Sequence, residues 1–138
     1  IEAGRKLKRC GILCSATLIS GLGGRQRLRE HAIASASLIS AIKPDYVGFL
    51  TLMIDPQAPV YSKIVSGELE LLNPEDVVEE MKLFLQNVDS EGTVFRSNHA
   101  SNYVILKGTL NEDIPSMLAY LRQVEEQGKY REERWRRF

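Results

Sequence analysis

The chain reads as an α/β domain with a parallel sheet, and three observations lead there. Two nearly unbroken apolar runs, Ile12 to Ile19 and Tyr46 to Ile54, have the composition of strands covered on both faces. Between them Leu28, Ala32, Ile33, Ala36, Ile39 and Ile42 recur at threes and fours, the spacing of a helix with one buried face. The order along the chain is helix, strand, helix, strand, helix, strand, helix. Such alternation implies right-handed crossovers and a parallel sheet.

The opening helix covers Ile1 to Arg9, with Ala3, Leu7 and Cys10 on one face and Gly11 as its stop. The first strand follows directly and ends in Ser20-Gly21-Leu22-Gly23-Gly24. A glycine turn between strand and helix allows positive φ and close approach of a ligand. It also lies beyond the carboxyl end of a strand, where α/β folds place their ligands. The next helix runs to Ile42, and Pro44 forbids its continuation.

The second strand exits at Asp55-Pro56 into a loop with a short helical turn at Val60 to Val65. Asn73 then caps a helix whose first residue is Pro74, with Glu75 and Asp76 at the positive end of its dipole. Val77, Met81, Phe84, Leu85 and Val88 form its buried stripe. A third extended segment, Thr93 to Arg96, leads into the polar run Ser97 to Tyr103. The last helix spans Asp113 to Glu126 and ends at Gly128. The remainder, residues 128–138, is a charged tail in which glutamates alternate with arginines, the pattern of a solvated end.

Composition narrows the function classes. With 138 residues, 43% of them hydrophobic, the chain is one domain's worth or part of a larger one. Eighteen basic and eighteen acidic residues cancel, so no global field draws it to nucleic acid or to a membrane surface. Apolar runs of about ten residues are too short to span a bilayer, and the expected compartment is cytoplasmic. The two cysteines, Cys10 at a helix end and Cys14 inside a strand, diverge and make neither a disulfide scaffold nor a metal site.

Two clusters carry possible chemistry. The glycine turn lacks the Lys-Ser/Thr of a phosphate-cradling loop, so it is either a tight connection or a ligand contact. Arg96, Asn98, His99 and Asn102 gather four polar side chains at a strand exit, where they can bind a carboxylate or a polar substrate, or bond only their own backbone. His31, beside Glu30, reads as a surface or boundary residue.

The segment Glu2 to Ile12 followed by Leu18-Ile19-Ser20-Gly21-Leu22-Gly23-Gly24 resembles the fourth helix and fifth strand of radical S-adenosylmethionine enzymes. Thr17, Ile19, Gly21 and Gly24 fall on the four marked positions of the Gly-x-Ile-x-Gly-x-x-Glu element by which that superfamily holds adenine. Asp55-Pro56-Gln57-Ala58-Pro59-Val60-Tyr61, with Gly67-Glu68, is similar to the loop after the sixth strand in the coproporphyrinogen-dehydrogenase-like branch. Phe95-Arg96-Ser97-Asn98-His99-Ala100-Ser101-Asn102-Tyr103 is similar to a run in bacterial radical proteins of unassigned reaction.

The resemblance covers residues 1–127 and implies the C-terminal half of an incomplete (β/α)6 TIM-like barrel. In such an enzyme S-adenosylmethionine is reductively cleaved at a 4Fe-4S cluster to a 5′-deoxyadenosyl radical, which takes hydrogen from a substrate. Thr17, Ile19 and Gly21 would border the cofactor, with Leu52 and Met53 packing on its adenine. Arg96, Asn98, His99 and Asn102 would face the substrate or the cofactor's polar end. The chain departs from the family in having no CxxxCxxC loop, and thiolate ligation of the cluster is required for that chemistry. The expectation is therefore a trimmed piece that binds no cluster and is inactive alone.

Such a piece would be partnered by the missing N-terminal half of its barrel. With Leu18, Phe49 and Leu52 left uncovered, it would self-associate. A non-catalytic α/β ligand-binding or interaction domain is the alternative, and an aldolase-like barrel fragment using His99 as acid or base is a third reading.

Overall fold

The computed structural model describes residues 1–137; Phe138, the end of the charged tail, lies outside them. Its first helix, α1 (Glu2–Arg9), runs into Gly11, whose φ of +69° turns the chain toward the sheet. The expected apolar face of α1 is corrected: Ala3, Leu7 and Cys10 are all exposed. Only Gly4 is buried, because α1 lays its backbone against the end of the next helix. A Cβ on Gly4 would lie 2.6 Å from Ile42.

Four strands follow, β1 (Ser15–Ser20), β2 (Tyr46–Thr51), β3 (Val94–Arg96) and β4 (Lys107–Thr109), in the spatial order of the chain. β1 pairs parallel with β2 from Ser15↔Tyr46 to Ser20↔Thr51, and β2 pairs parallel with β3 through Tyr46↔Val94 to Gly48↔Arg96. β4 runs antiparallel to β3 and was not expected from the sequence; the sheet is mostly, not wholly, parallel. Both apolar runs overshoot their strands. Ile12 and Leu13, at 53% and 72% exposure, precede the first paired residue, while Leu52 to Ile54 follow the last.

Helices α2 (Leu28–Ile42), α4 (Pro74–Asn87) and α5 (Ile114–Gln127) pack on one face of the sheet. A 3-10 turn, Arg25–Arg27, enters α2, and a five-residue helix, α3 (Tyr61–Val65), lies in the loop after β2. Leu18, Val47, Phe49 and Phe95 point from the sheet into a single core with Ile39, Met81, Phe84 and Leu121. There the rings of Phe49, Phe84 and Phe95 stand 5.9–6.0 Å apart, Phe49 tilted against both others and Phe84 stacked on Phe95, a separation at which aromatic pairs attract. Leu18 and Phe49, expected on the side awaiting a missing half, are thus buried beneath helices.

The other face is bare. Thr17, Ile19, Tyr46, Gly48, Leu50, Val94 and Arg96 alternate with the core residues and are exposed or half-buried. Two-sided covering, read from the apolar runs, is therefore replaced by one covered face.

The termini of the helices follow local chemistry. Asn73 accepts from Asp76 N–H at 2.7 Å while the Asp76 carboxylate accepts from Asn73 N–H at 3.1 Å, a reciprocal cap with Pro74 at the first helical position. Gly128, at φ +59°, closes α5 in the left-handed conformation. Among the described residues no helix is long and apolar enough to cross a membrane.

Candidate functional site

The carboxyl ends of β1 and β2 meet three loops: the glycine turn, the exit of β2 and the polar run after β3. The turn needs its glycines. Gly21 and Gly24 have φ of +90° and +63°, and a Cβ on Gly24 would lie 2.8 Å from Leu69 and 3.2 Å from the Glu70 carbonyl. Beneath the turn lies Glu80 of α4, 1% exposed. Its carboxylate accepts from the Ser20 hydroxyl, from Gly21 N–H at 2.9 Å and from His31 Nδ1 at 2.5 Å. Three donors offset the desolvation of a buried carboxylate. His31, expected as a surface or boundary residue, lies at the boundary with about a quarter of its side chain exposed, and ties α2 to that group.

Glu80 escaped the sequence reading although its spacing was a signal. It stands three residues after Val77 and four before Phe84, on the apolar stripe itself. A lone acid on a buried stripe implies a waiting donor.

A cavity of about 300 Å³ opens at the strand ends on the bare side of the sheet, lined by Ile19, Leu50, Leu52, Met53, His99 and Ser101 among others. Three of the five residues expected to border a cofactor, Ile19, Leu52 and Met53, come together here with His99 of the expected substrate group. Thr17 lies two residues back along β1, on the same face and exposed. Gly21 lies outside it, lining a neighbouring cavity of about 210 Å³ that Leu52 shares.

His99 is held in one orientation. Ser101 N–H, which can only donate, reaches its Nδ1 at 3.2 Å, so Nδ1 accepts and the ring proton sits on Nε2. The Ser101 hydroxyl, 3.0 Å from the same nitrogen, itself accepts from Thr51 N–H at 3.2 Å. Thus β2 positions the imidazole through one serine.

The rest of the polar run divides. Asn102 is fully buried and engaged: its amide donates to the Phe49 carbonyl at 2.6 Å and to the Ser97 carbonyl at 2.9 Å, and its oxygen accepts from Thr51 Oγ1 at 2.9 Å. It sews the loop to the end of β2. Asn98 is exposed. Arg96 is exposed on the bare face and its Nη1 donates to its own strand's Phe95 carbonyl at 2.8 Å. It shares a row across the sheet with Thr17 and Gly48. Neither Arg96 nor Asn98 lines the cavity at the strand ends.

The tail also reaches this region, which corrects the expectation of a solvated end. Arg136, with a side chain only 5% exposed, donates to the Ser101 carbonyl at 2.6 Å and the Leu52 carbonyl at 3.2 Å, and lies 4.1 Å over the Tyr103 ring. Its Nη1 also meets the Tyr103 hydroxyl at 2.6 Å and the Glu133 carboxylate at 2.7 Å. Arg131 adds a bond to the Ala100 carbonyl at 2.9 Å. Burial pushes the Tyr103 phenol up to about 12, helped by its bond to Glu133. Burial also raises the Glu133 carboxyl, but the bonds from Arg136 and Tyr103 outweigh this and hold it below its usual value.

No protein-family model, no curated protein and no solved structure matches this chain.

Two expectations follow. Glu80→Ala leaves Gly21 N–H, the Ser20 hydroxyl and His31 without their acceptor, and urea unfolding should show a loss of about 3 kcal/mol or more; a change within about 0.5 kcal/mol would mean the turn does not depend on it. The second concerns pH. Because the Glu133 carboxyl is depressed when folded, its anchoring of the tail is complete above its ordinary value near 4.5 and is lost as pH falls through the lower folded value. Trp135, the single tryptophan, stands in the tail, so its emission should be flat above that pH and shift below it while far-ultraviolet dichroism persists. Emission unchanged until the whole chain unfolds would contradict this.

Proposed function

We propose that the chain supplies the C-terminal βα units of a radical S-adenosylmethionine domain of the cytoplasm, an incomplete (β/α)6 barrel whose bare sheet face meets the remaining strands. One observation carries the reading. Ile19, Leu52, Met53 and His99, marked by resemblance in three separate stretches, line a single cavity at the carboxyl ends of parallel strands. That end is where βα barrels build their sites. Helices on one face only, with Thr17, Gly48 and Arg96 in a row on the other, suit the wall of a barrel better than a sheet wound on both sides.

On this reading Ile19, Leu52 and Met53 would hold the adenosine part of S-adenosylmethionine by apolar contact. The cofactor, when bound and reduced, supplies radical initiation. His99, its proton on Nε2, donates a hydrogen bond to the substrate or to the cofactor's polar end. Arg96, projecting from the same face, attracts an acidic substrate group. The cluster does not fit this chain: it needs three converging thiolates, and the two cysteines are an exposed Cys10 and a buried Cys14. Its ligands would come from the other half of the barrel. Alone, the bare face favours pairing with a second copy. The alternative of a non-catalytic interaction domain draws support from Asn102, whose amide is wholly engaged inside the fold.

Anaerobic reconstitution with iron and sulfide tests the proposal on two proteins. The chain alone should stay colourless. The full reading frame from which it comes should contain CxxxCxxC and take up a cluster with broad visible absorbance. A frame without the cysteine triad, or a stoichiometric cluster on the chain alone, would overturn the reading.

A further inference from the structure

The arginine that anchors the tail is an unusual receptor. Arg136 is held by the carbonyls of Ser101 and Leu52 and by the face of Tyr103, so its guanidinium is fixed and almost wholly buried. The carboxylate it holds belongs to Glu133, three residues earlier, with a side chain 68% exposed. Receptor and occupant therefore differ sharply in burial.

The fit between them is also incomplete. Both Glu133 oxygens meet one guanidinium nitrogen, Nη1, at 2.7 and 2.8 Å. Among the described residues Nη2 makes one bond, to the Leu52 carbonyl, and shares none with Glu133. A carboxylate free of the chain can bridge Nη1 and Nη2 in the paired geometry that arginine favours. It would keep the hydrogen bond that the Tyr103 hydroxyl gives Glu133 at 2.8 Å.

Behind this pair lies the cavity of about 210 Å³, whose walls include Ser20, Thr51, Leu52, Leu71 and Leu72. The hydroxyls of Ser20 and Thr51 are already donating, to Glu80 and Asn102. Leu52, Leu71 and Leu72 add apolar surface to a wall whose polar part includes Arg136, Tyr103 and Glu133 themselves.

We propose that Arg136 and the Tyr103 hydroxyl form a carboxylate subsite, filled here by the chain's own Glu133, that takes a small ligand with a carboxylate head and a short apolar body lying in the adjoining cavity. Glu133 acts as an internal competitor. The inference does not depend on radical chemistry or on S-adenosylmethionine.

Calorimetric titration with straight-chain carboxylates from acetate to pentanoate tests it, on the native chain and on Glu133→Ala, with Glu132→Ala as the neighbouring control and pentanamide as the uncharged probe. Affinity should rise about tenfold or more from acetate to pentanoate as methylenes enter the cavity. Glu133→Ala should tighten every carboxylate about tenfold by removing the competitor, while Glu132→Ala and pentanamide show no gain. Three results would each overturn the proposal: no binding by either protein, an unchanged affinity in Glu133→Ala, or binding independent of chain length. The last would mean that added carboxylate merely repairs a broken ion pair. Should Glu133→Ala not fold, the length series on the native chain and on Glu133→Gln decides alone.

Discussion

A single buried carboxylate organises the functional end of this molecule. Glu80 reaches from α4 to the last residue of β1, to the first residue of the glycine turn and to His31 on α2. A charge in that position is costly unless every lone pair finds a donor. The three donors come from three elements, so the cheapest arrangement of the carboxylate is also the one that joins them. Gly21, which donates one of the three bonds, has a φ of +90°. Either side of Ser20 in the chain, Ile19 lines one cavity and Gly21 its neighbour.

The second half of the site is built by stitching rather than by regular structure. The run after β3 makes no ladder to β2 beyond Arg96, yet Asn102, Ser101 and Thr51 bond it to the strand end in the sheet's place. Arg136 then crosses from the Leu52 carbonyl to the Ser101 carbonyl, joining the exit of β2 to that run. His99 consequently sits on a loop fixed from two sides. Its ring is thereby held in one orientation.

Local signals in the sequence carried far where they had local causes. Asn73-Pro74, Gly128 and the glycine turn each mark a backbone event that one or two residues determine, and the structure has all three. Nonlocal causes were less legible. Lys107-Gly108-Thr109 is too short and too mixed to show a strand period, and its pairing with β3 is decided by the chain reversal before it. Ile12 and Leu13 have the letters of a strand but no partner across from them. The tail alternates signs like a solvated segment, and nothing within it shows that Tyr103, 33 residues before Arg136, offers it a ring and a hydroxyl. Of the candidate site, Ile19, Leu52, Met53 and His99 converge, whereas Asn102 proves to be a fastening inside the fold. Glu80 went unread because a charge on a buried stripe is explained only by its partners.

On the proposed function the cavity between the ends of β1 and β2 recognises a nucleoside. Amide chemical-shift mapping of the chain with S-adenosylhomocysteine, a stable analogue of the proposed cofactor, addresses it most directly. Shifts should concentrate at Ile19, at Leu50 to Met53 and at His99 to Ser101, with the surface of α5 silent. Shifts confined to other surfaces, or none as the analogue is raised to its solubility limit, would contradict it.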